Sequence, residues 1–362
     1  MTSLPSAALA QAIRLAHIGP FTGPAANDAR DLNAGMQAYL AQANAQGGVG
    51  GRKLELLTLD DRYDRAVFSQ QFAQAQAQGA VALLSPLGLG ALRALLEDQL
   101  LDRSDMVVVN AVPGATPFRS PGHSRLFHLR ASDRQQIEIV LRQAASIGVR
   151  RMTVLVQDLR AGEADVKGAH ASRSDTGSLA LTLHETPENP DELAKLAQRI
   201  SDSDTEAALV IGSPPNMARA VTALRKAGMR RHLYALSYLP PALLTQMGGS
   251  DAARGVAIAQ TYPNPMGRTM PLHREFQAAM RASAPAIAAY SSFHLEGYLS
   301  ARVAVESLRR AQGGAQSAAM EAALRRMSPL DLGGFRVDFS RSNAGSPYVD
   351  IGVVDARGRL IY

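Results

Sequence analysis

The chain contains no cysteine in its 362 residues. It can therefore form no disulfide, no thiolate metal site and no thiol nucleophile. No stretch approaches the ~20 consecutive apolar residues that a helix needs to span a membrane. Hydrophobic residues make up 46% of the chain and charged residues 19%. That composition is typical of a folded globular protein, neither disordered nor fibrous.

The motifs of several enzyme classes are also absent. There is no G-x-S-x-G elbow of a hydrolase and no H-E-x-x-H zinc motif. Gly88-Leu89-Gly90 follows a predicted strand and opens a predicted helix, but Arg93 replaces the third glycine of a dinucleotide fingerprint. We interpret these glycines as a place where the backbone approaches a small ligand. The sequence predicts neither an enzyme nor a cofactor, and a nucleotide-dependent oxidoreductase remains the remote alternative.

Charge gives little indication of a macromolecular partner. The net charge is +6, and only four of the 38 basic residues are lysine. The arginines are scattered, without a basic stripe interleaved with aromatics, so we interpret them as solvated surface and predict no nucleic-acid partner.

The eight histidines form no close helical pair, and we predict no metal site. Asp60, Asp61 and Asp64 lack the glycine and terminal glutamate of a calcium loop and predict a turn with capping carboxylates.

Hydrophobic periodicity predicts two successive blocks of alternating strands and helices, at about 13–130 and 150–260. Such alternation is typical of right-handed βαβ units and parallel sheets. Two further helices and a pair of strands follow, too little for a third domain. We therefore assign 13–130 and 263–335 to lobe 1, and 131–262 and 336–362 to lobe 2. Within the second block, Asp133 is predicted as the N-cap of a helix.

The first twelve residues fall outside both lobes. Leu9-Ala10-Gln11-Ala12 is similar to the small-residue end of a secretory signal, directly before the first predicted strand. We interpret residues 1–12 as a signal remnant or a flexible tail. The expectation is a periplasmic protein whose gene encodes upstream basic and apolar residues, removed after Ala12.

Several segments together resemble the type I periplasmic binding proteins of the leucine/isoleucine/valine group. They include the opening Ile18-Gly19-Pro20-Phe21-Thr22-Gly23-Pro24 and the glycine-rich block from Ala43 to Leu54 with Asp60-Asp61 after it. The others are Arg130-Ala131-Ser132-Asp133 with Gln135, Ala223-Leu224-Arg225-Lys226-Ala227-Gly228, and the helix at 292–305. Their order and spacing cover nearly the whole chain.

This resemblance implies an α/β fold with two lobes, each a parallel sheet flanked by helices, joined by three hinge crossings. It implies that the lobes close on a small organic solute and present it to the membrane permease of an ABC importer. The expected protein is a monomer. A sensory or regulatory module with the same fold is the alternative function.

The resemblance also implies a ligand site. In the first lobe it comprises Phe21 and Thr22 of the opening motif, together with two loops expected to hold a carboxylate, Leu87-Gly88-Leu89 and Gly114-Ala115-Thr116. In the second lobe the corresponding positions are Ala161, Ser213 and Ser237. Independently of the resemblance, Tyr238 and Tyr262 follow predicted strands of that lobe, where they can stack on a substrate. Simpler roles remain open for four of these site residues. Thr116 can be a turn hydroxyl, Ser213 can cap a helix, and Tyr238 and Tyr262 can pack at a lobe rim.

The residue at one of these positions bears on the class of ligand. Ser237 stands where the family has the acid that pairs with a ligand ammonium, and a buried ammonium without a carboxylate is costly. Ala161 replaces a covering aromatic and leaves extra room. The sequence therefore favours a bulky, mostly apolar carboxylate. A leucine-like ligand remains open if Ser213, Ser237 and a main-chain carbonyl solvate its ammonium.

Overall fold

The computed structural model describes residues 11–23, 25–120, 122–172, 179–311, 314, 316–327 and 329–362. Most of the predicted signal remnant therefore lies outside the described residues. The chain divides into two compact units. The first comprises Met1–Pro113, His123–Leu129 and Pro265–Ser346, and the second comprises Gly114–Gly122, Arg130–Asn264 and Pro347–Tyr362. The segments 114–122, 263–264 and 336–346, together with Arg130, lie in the opposite unit from the lobe to which the sequence assigned them.

The strands and helices alternate along most of the chain. The strands are β1 Ile13–Gly19, β2 Leu54–Asp60, β3 Ala80–Leu84, β4 Val107–Val109, β5 Leu126–Phe127, β6 Arg151–Val156, β7 Ala180–Glu185, β8 Ala207–Ile211, β9 His232–Ala235, β10 Val256–Gln260, β11 Leu330–Asp331, β12 Arg336–Val337, β13 Asp350–Val354 and β14 Leu360–Ile361. The helices are α1 Ala26–Ala45, α2 Arg65–Ala77, α3 Leu89–Leu96, α4 Asp133–Ser146, α5 Leu159–Ala171, α6 Pro190–Asp202, α7 Pro214–Lys226, α8 Pro241–Ala253, α9 Pro271–Ser283, α10 Ser292–Arg310 and α11 Ser317–Arg325. A short 3₁₀ helix covers Thr116–Phe118.

The first unit is built on a parallel five-stranded sheet in the order β2-β1-β3-β4-β5. Its central strands are almost wholly apolar because both faces are covered by helices. From β1 the chain first adds β2 on one side of that strand. It then crosses over and adds β3, β4 and β5 on the other side. Ligands of such sheets bind beyond the carboxyl ends of the strands at this switch point.

The second unit repeats this arrangement. Its sheet has the order β14-β13-β10-β9-β8-β6-β7, so that β7-β6-β8-β9-β10 matches the strand order of the first unit. Those five strands are parallel, and β13 adds antiparallel to β10. The predicted α/β class with two parallel-dominated sheets flanked by helices is confirmed. The second switch point lies beyond the carboxyl ends of β6 and β8.

Local capping defines where several helices begin. Asp64 accepts hydrogen bonds from the main-chain N–H groups of Ala66 and Val67, as the acidic turn predicts. The predicted N-cap of α4 is wrong by one residue. Ser132 is the cap, because its hydroxyl accepts from the N–H of Gln135 while the Gln135 side chain accepts from the Ser132 N–H. Asp133 is thereby free to form contacts across the unit.

Two helices of the second unit are not predicted by the periodicity. α5 carries Gly162 and Gly168, and α8 contains Gly248-Gly249, where Gly249 takes a non-helical conformation with φ 79°. Glycine weakens a helical pattern because it has low intrinsic helix propensity and no side chain to bury. Of the helices in the described ranges, none is long and apolar enough to cross a membrane.

Candidate functional site

The switch point of the first unit gathers the residues of the opening motif around one carboxylate. Asp60, at the end of β2, accepts hydrogen bonds from the N–H of Phe21 at 2.9 Å and from the Thr22 hydroxyl at 2.8 Å. The Phe21 ring meets the edge of buried His17 with centroids 5.3 Å apart. Phe21 and Thr22 thus lie directly beyond β1, in a loop held by protein contacts.

The loop after β3 lies under an aromatic ring that the sequence analysis did not select. Gly88 caps α3 with φ 93°, and a Cβ there would lie 2.7 Å from Cε2 of Tyr63. Tyr63 is 48% exposed, whereas Leu87 is buried. Only glycine therefore allows the Tyr63 ring to rest on the loop Leu87-Gly88-Leu89.

Two acids of α1, one buried and one half-buried, lie in the same unit. Asp28, in the first turn of α1, is 7% exposed, and burial with the neighbouring charges of Asp31 and Glu296 raises its pKa to about 8. Asp31 accepts a 2.6 Å hydrogen bond from the Ser291 hydroxyl and lies 3.4 Å from Nδ1 of His294. Burial lowers the pKa of His294, although the Asp31 charge opposes this effect. The first unit therefore presents an electrostatic environment that favours neutral Asp28 at neutral pH.

The loop Gly114-Ala115-Thr116 belongs to the second unit and faces a protein carboxylate. Both the Thr116 N–H, at 3.0 Å, and the Thr116 hydroxyl donate to Asp165 of α5. Asp165 is 1% exposed, and its burial raises its pKa. The carbonyl of Gly114 accepts from the Asp133 N–H at 3.0 Å. Both Thr116 donors that were expected to hold a ligand carboxylate are thus already bonded within the unit.

Asp133 and Tyr238 form the next part of the same arrangement. The Tyr238 hydroxyl donates to Oδ1 of Asp133, and the Gln136 side-chain amide donates to the same oxygen at 3.4 Å. Burial raises the pKa of Asp133 to about 6, although the Tyr238 hydrogen bond opposes that rise. Gly114 has no room for a side chain, because a Cβ would lie 2.6 Å from Asp133 Oδ1.

Two arginines complete this arrangement. Nη2 of Arg130, which is 1% exposed, donates to Ser237 Oγ at 2.5 Å, and its guanidinium lies 4.7 Å from the centre of the Tyr238 ring. Nη1 of Arg119 donates to the main-chain carbonyl of Arg130 at 2.9 Å. The interpretation of arginines as solvated surface is wrong for these two. We call Arg119, Arg130, Asp133, Asp165 and Tyr238 the charged cluster.

Arg119 has two buried side-chain donors on the same guanidinium. Its Nε and Nη2 are buried and have no hydrogen-bond partner among the residues that the structure describes. Burial lowers the pKa of Arg119, with Tyr238 and Asp133 opposing. A guanidinium nevertheless stays protonated in proteins. The Nε and Nη2 of Arg119 are therefore buried donors of a cation without an acceptor among the described residues.

The other predicted positions of the second lobe are Ser213, Ala161 and Tyr262. Ser213 is the N-cap residue of α7 but makes no side-chain cap hydrogen bond, and its N–H donates to the Gln157 side chain at 2.7 Å. Ala161 lies in α5, near the second switch point. Tyr262 is 1% exposed and follows β10. Thr116 and Ser237 therefore lie beside the charged cluster that includes Tyr238, whereas Ser213 bonds to Gln157 instead.

Sequence reasoning missed Arg119 and Asp165. Asp165 lies in a helix that the periodicity did not predict, and Arg119 was one arginine among many. In the described part of the chain, no three histidine or acidic side chains are grouped closely enough to hold a metal ion.

Comparison with known proteins agrees with this architecture. The family model described as periplasmic binding protein matches residues 12–358. A solved extracellular ligand-binding receptor from Verminephrobacter eiseniae is 42% identical, with a TM-score of 0.92, and the match covers 97% of this chain and 100% of that one. A substrate-binding periplasmic protein from Ralstonia solanacearum is 29% identical, with a TM-score of 0.84 over 96% and 99%. The Leu/Ile/Val-binding protein homolog 6 of Brucella suis is 23% identical over 80% of this chain and 76% of its own.

The chain therefore belongs to the periplasmic binding protein family. Members of this family are extracytoplasmic solute-binding proteins rather than enzymes. The recognition made from the sequence motifs is confirmed.

Proposed function

We propose that the protein is the substrate-binding component of an ABC importer and captures a small organic acid outside the cytoplasm. Family membership supports the solute-binding role, and the 42% identical extracellular receptor supports the extracytoplasmic location. Capture by hinge closure, delivery to a permease and removal of an export signal are parts of the same proposal.

The observation that carries the acid as ligand is the charged cluster. In Arg119, a half-buried cation, two buried donors lack partners among the described residues, and each unsatisfied group of this kind costs about 1–3 kcal/mol. Such groups persist in a fold when something else satisfies them. A carboxylate is the ligand group that meets both the charge and the hydrogen-bonding need of a guanidinium.

A thermal-unfolding panel tests this proposal. The panel contains leucine, isoleucine and valine, their amino-free analogues such as 4-methylpentanoate, aromatic acids such as phenylacetate, and neutral sugars as controls. A ligand at about 100 times its dissociation constant adds about 2.7 kcal/mol to the free energy of unfolding. The melting temperature should then rise by about 5–10 °C. The proposal is contradicted if sugars raise the melting temperature and no carboxylate does.

The importer role has its own test. Deleting the gene in the native host should abolish uptake of the radiolabelled acid that binds best, and a plasmid copy should restore it. Unchanged uptake with loss of a transcriptional response to that acid would instead identify the sensory alternative.

A further inference from the structure

The empty donors of Arg119 lie on one edge of its guanidinium. Nε and Nη2 point their N–H bonds in parallel, whereas Nη1 lies on the other side and is bonded to the Arg130 carbonyl. Two parallel N–H groups are the geometry that a carboxylate accepts with both oxygens at once. The unsatisfied edge therefore matches one functional group in shape as well as in charge.

The acceptors within the charged cluster are committed to other donors. Asp165 accepts from the Thr116 N–H and hydroxyl, and Asp133 accepts from the Tyr238 hydroxyl and the Gln136 amide. Neither carboxylate makes a hydrogen bond to the Arg119 edge among the described residues. The described residues therefore offer that edge no acceptor, and water or a ligand can supply one.

The surroundings of Ser237 indicate what else the ligand carries. The Ser237 hydroxyl accepts a hydrogen bond from Nη2 of buried Arg130 at 2.5 Å. The Ser237 N–H is also occupied, donating to Gln136 Oε1 at 3.0 Å. An ammonium beside the Ser237 hydroxyl would lie next to the positively charged guanidinium of Arg130. Like charges in a desolvated site repel strongly.

We propose that the Nε/Nη2 edge of Arg119 binds the carboxylate of the solute, and that Arg130 beside Ser237 excludes an α-ammonium. The inference rests on the proposed solute-binding function and narrows its ligand class. The preferred solutes are organic acids without an α-amino group. Arg119 is thus a ligand-binding residue, and Arg130 is a specificity-determining one.

The test is isothermal titration calorimetry with matched probes, since a chain without tryptophan offers no indole fluorescence. The probes are two acids, 4-methylpentanoate and phenylacetate, their α-amino counterparts leucine and phenylglycine, and their primary amides. On wild-type protein each acid should bind at least about tenfold more tightly than its amino acid, because a desolvated like-charge contact costs at least that much. Each acid should also bind more tightly than its amide, which lacks the charge.

Variants of Arg119 separate recognition from folding. Arg119→Met should weaken acid binding by about thirtyfold or more, and Arg119→Lys by less, because lysine keeps the charge but loses the parallel donors. Both variants should lose most of the preference for acid over amide, measured as the ratio of the two dissociation constants. A general loss of stability would leave that ratio unchanged. The control is Arg219→Met, since Arg219 also has a buried Nε and donates to the main-chain carbonyls of Pro187 and Glu188 instead.

The outcomes distinguish the two proposals. If leucine or phenylglycine binds as tightly as its acid, or if Arg119→Met keeps the wild-type acid-to-amide ratio, the Arg119 inference is overturned while solute binding stands. If the wild-type protein, folded by circular dichroism, binds none of the acids, amino acids or amides, both the proposed function and the inference are overturned.

Discussion

Gly35 of α1 lies against the main-chain carbonyl of His294 in α10 so closely that a Cβ on Gly35 would be 1.9 Å from that oxygen. The relationship is reciprocal, since a Cβ on Gly297 would lie 2.0 Å from the carbonyl oxygen of Leu32. These two helices of the first unit therefore pack backbone to backbone. This contact also fixes the first turn of α10, where His294 and Ser291 meet Asp31.

Replacing this glycine should separate the helices. We expect Gly35→Ala to lower the free energy of unfolding by about 3 kcal/mol or more, because overpacking against main-chain atoms cannot be relieved by a rotamer change. Gly90→Ala is the control. Its Cβ would meet nothing nearer than Arg65 Cβ at 3.6 Å, so it should be neutral or stabilising by up to about 1 kcal/mol. Urea denaturation compares them, and equal stabilities would contradict the packing described.

A buried polar network makes a second prediction for the first unit. The Asn110 side chain donates to Glu296 Oε1 at 2.9 Å and to Ser300 Oγ at 3.1 Å, and its oxygen accepts from the Leu129 N–H at 3.2 Å. Asn110→Leu removes these bonds and places a branched side chain at φ 67°. The loss should be about 3 kcal/mol. Ser300→Ala, which removes one hydroxyl, should cost about 1 kcal/mol. A smaller effect of Asn110→Leu than of Ser300→Ala in the same assay would be inconsistent with the network.

Asp28 makes the stability of the first unit depend on pH. Its pKa rises from 3.8 to about 8 on folding, so between these values the folded state holds a proton that the unfolded state has released. Its contribution is fully present below the unfolded pKa and is lost as pH rises through the folded pKa. Relative to wild type, Asp28→Asn should therefore become progressively more stable from about pH 4 to pH 8, by an amount on the order of a few kcal/mol.

Melting temperatures across that pH range measure the difference. The control is Asp105→Asn, because the Asp105 side chain is fully exposed and its removal should leave the wild-type profile in place. Parallel profiles for wild type and Asp28→Asn would show that Asp28 ionises normally.

Closure on ligand remains a prediction from the family resemblance, with a hinge expected near Arg130-Ala131 and Tyr262-Pro263. Small-angle scattering should show a smaller radius of gyration when 4-methylpentanoate or another acid that binds is present at saturation. An unchanged radius with calorimetrically proven saturation would count against capture by closure.

Most strands of the two large sheets were predictable because they are short runs dominated by leucine, valine, isoleucine and alanine, whereas the two-residue strands β5, β11 and β14 were not predicted. β8 and β10 begin and end at the predicted residues, Ala207–Ile211 and Val256–Gln260. α5 and α8 were not predictable from periodicity, since glycine interrupts both and α8 bends at Gly249. Tertiary packing, rather than local pattern, specifies these two helices.

The charged cluster was beyond sequence reasoning for a different reason. Arg119, Asp165 and Tyr238 are far apart in the chain. Arg119 lies in the segment 114–122 that joins the second unit, Asp165 lies in α5 and Tyr238 follows β9, so only the folded unit brings them together. Sequence reasoning did select Thr116, Ser237 and Tyr238, which lie in or beside that cluster. It did not reveal that the hydroxyls of these three residues already bond to other protein groups. For this reason we propose Arg119, rather than Thr116, as the partner of a ligand carboxylate.

The most direct measurement is the identity of what the protein captures. Purified protein is incubated with the low-molecular-mass metabolite fraction of its host, analysed intact by native mass spectrometry, and then denatured so that the released compound can be identified. The account predicts a bound small carboxylic acid without an α-amino group, absent from the Arg119→Met variant. Capture of an α-amino acid, or of a compound without a carboxylate, by wild type and variant alike would contradict it.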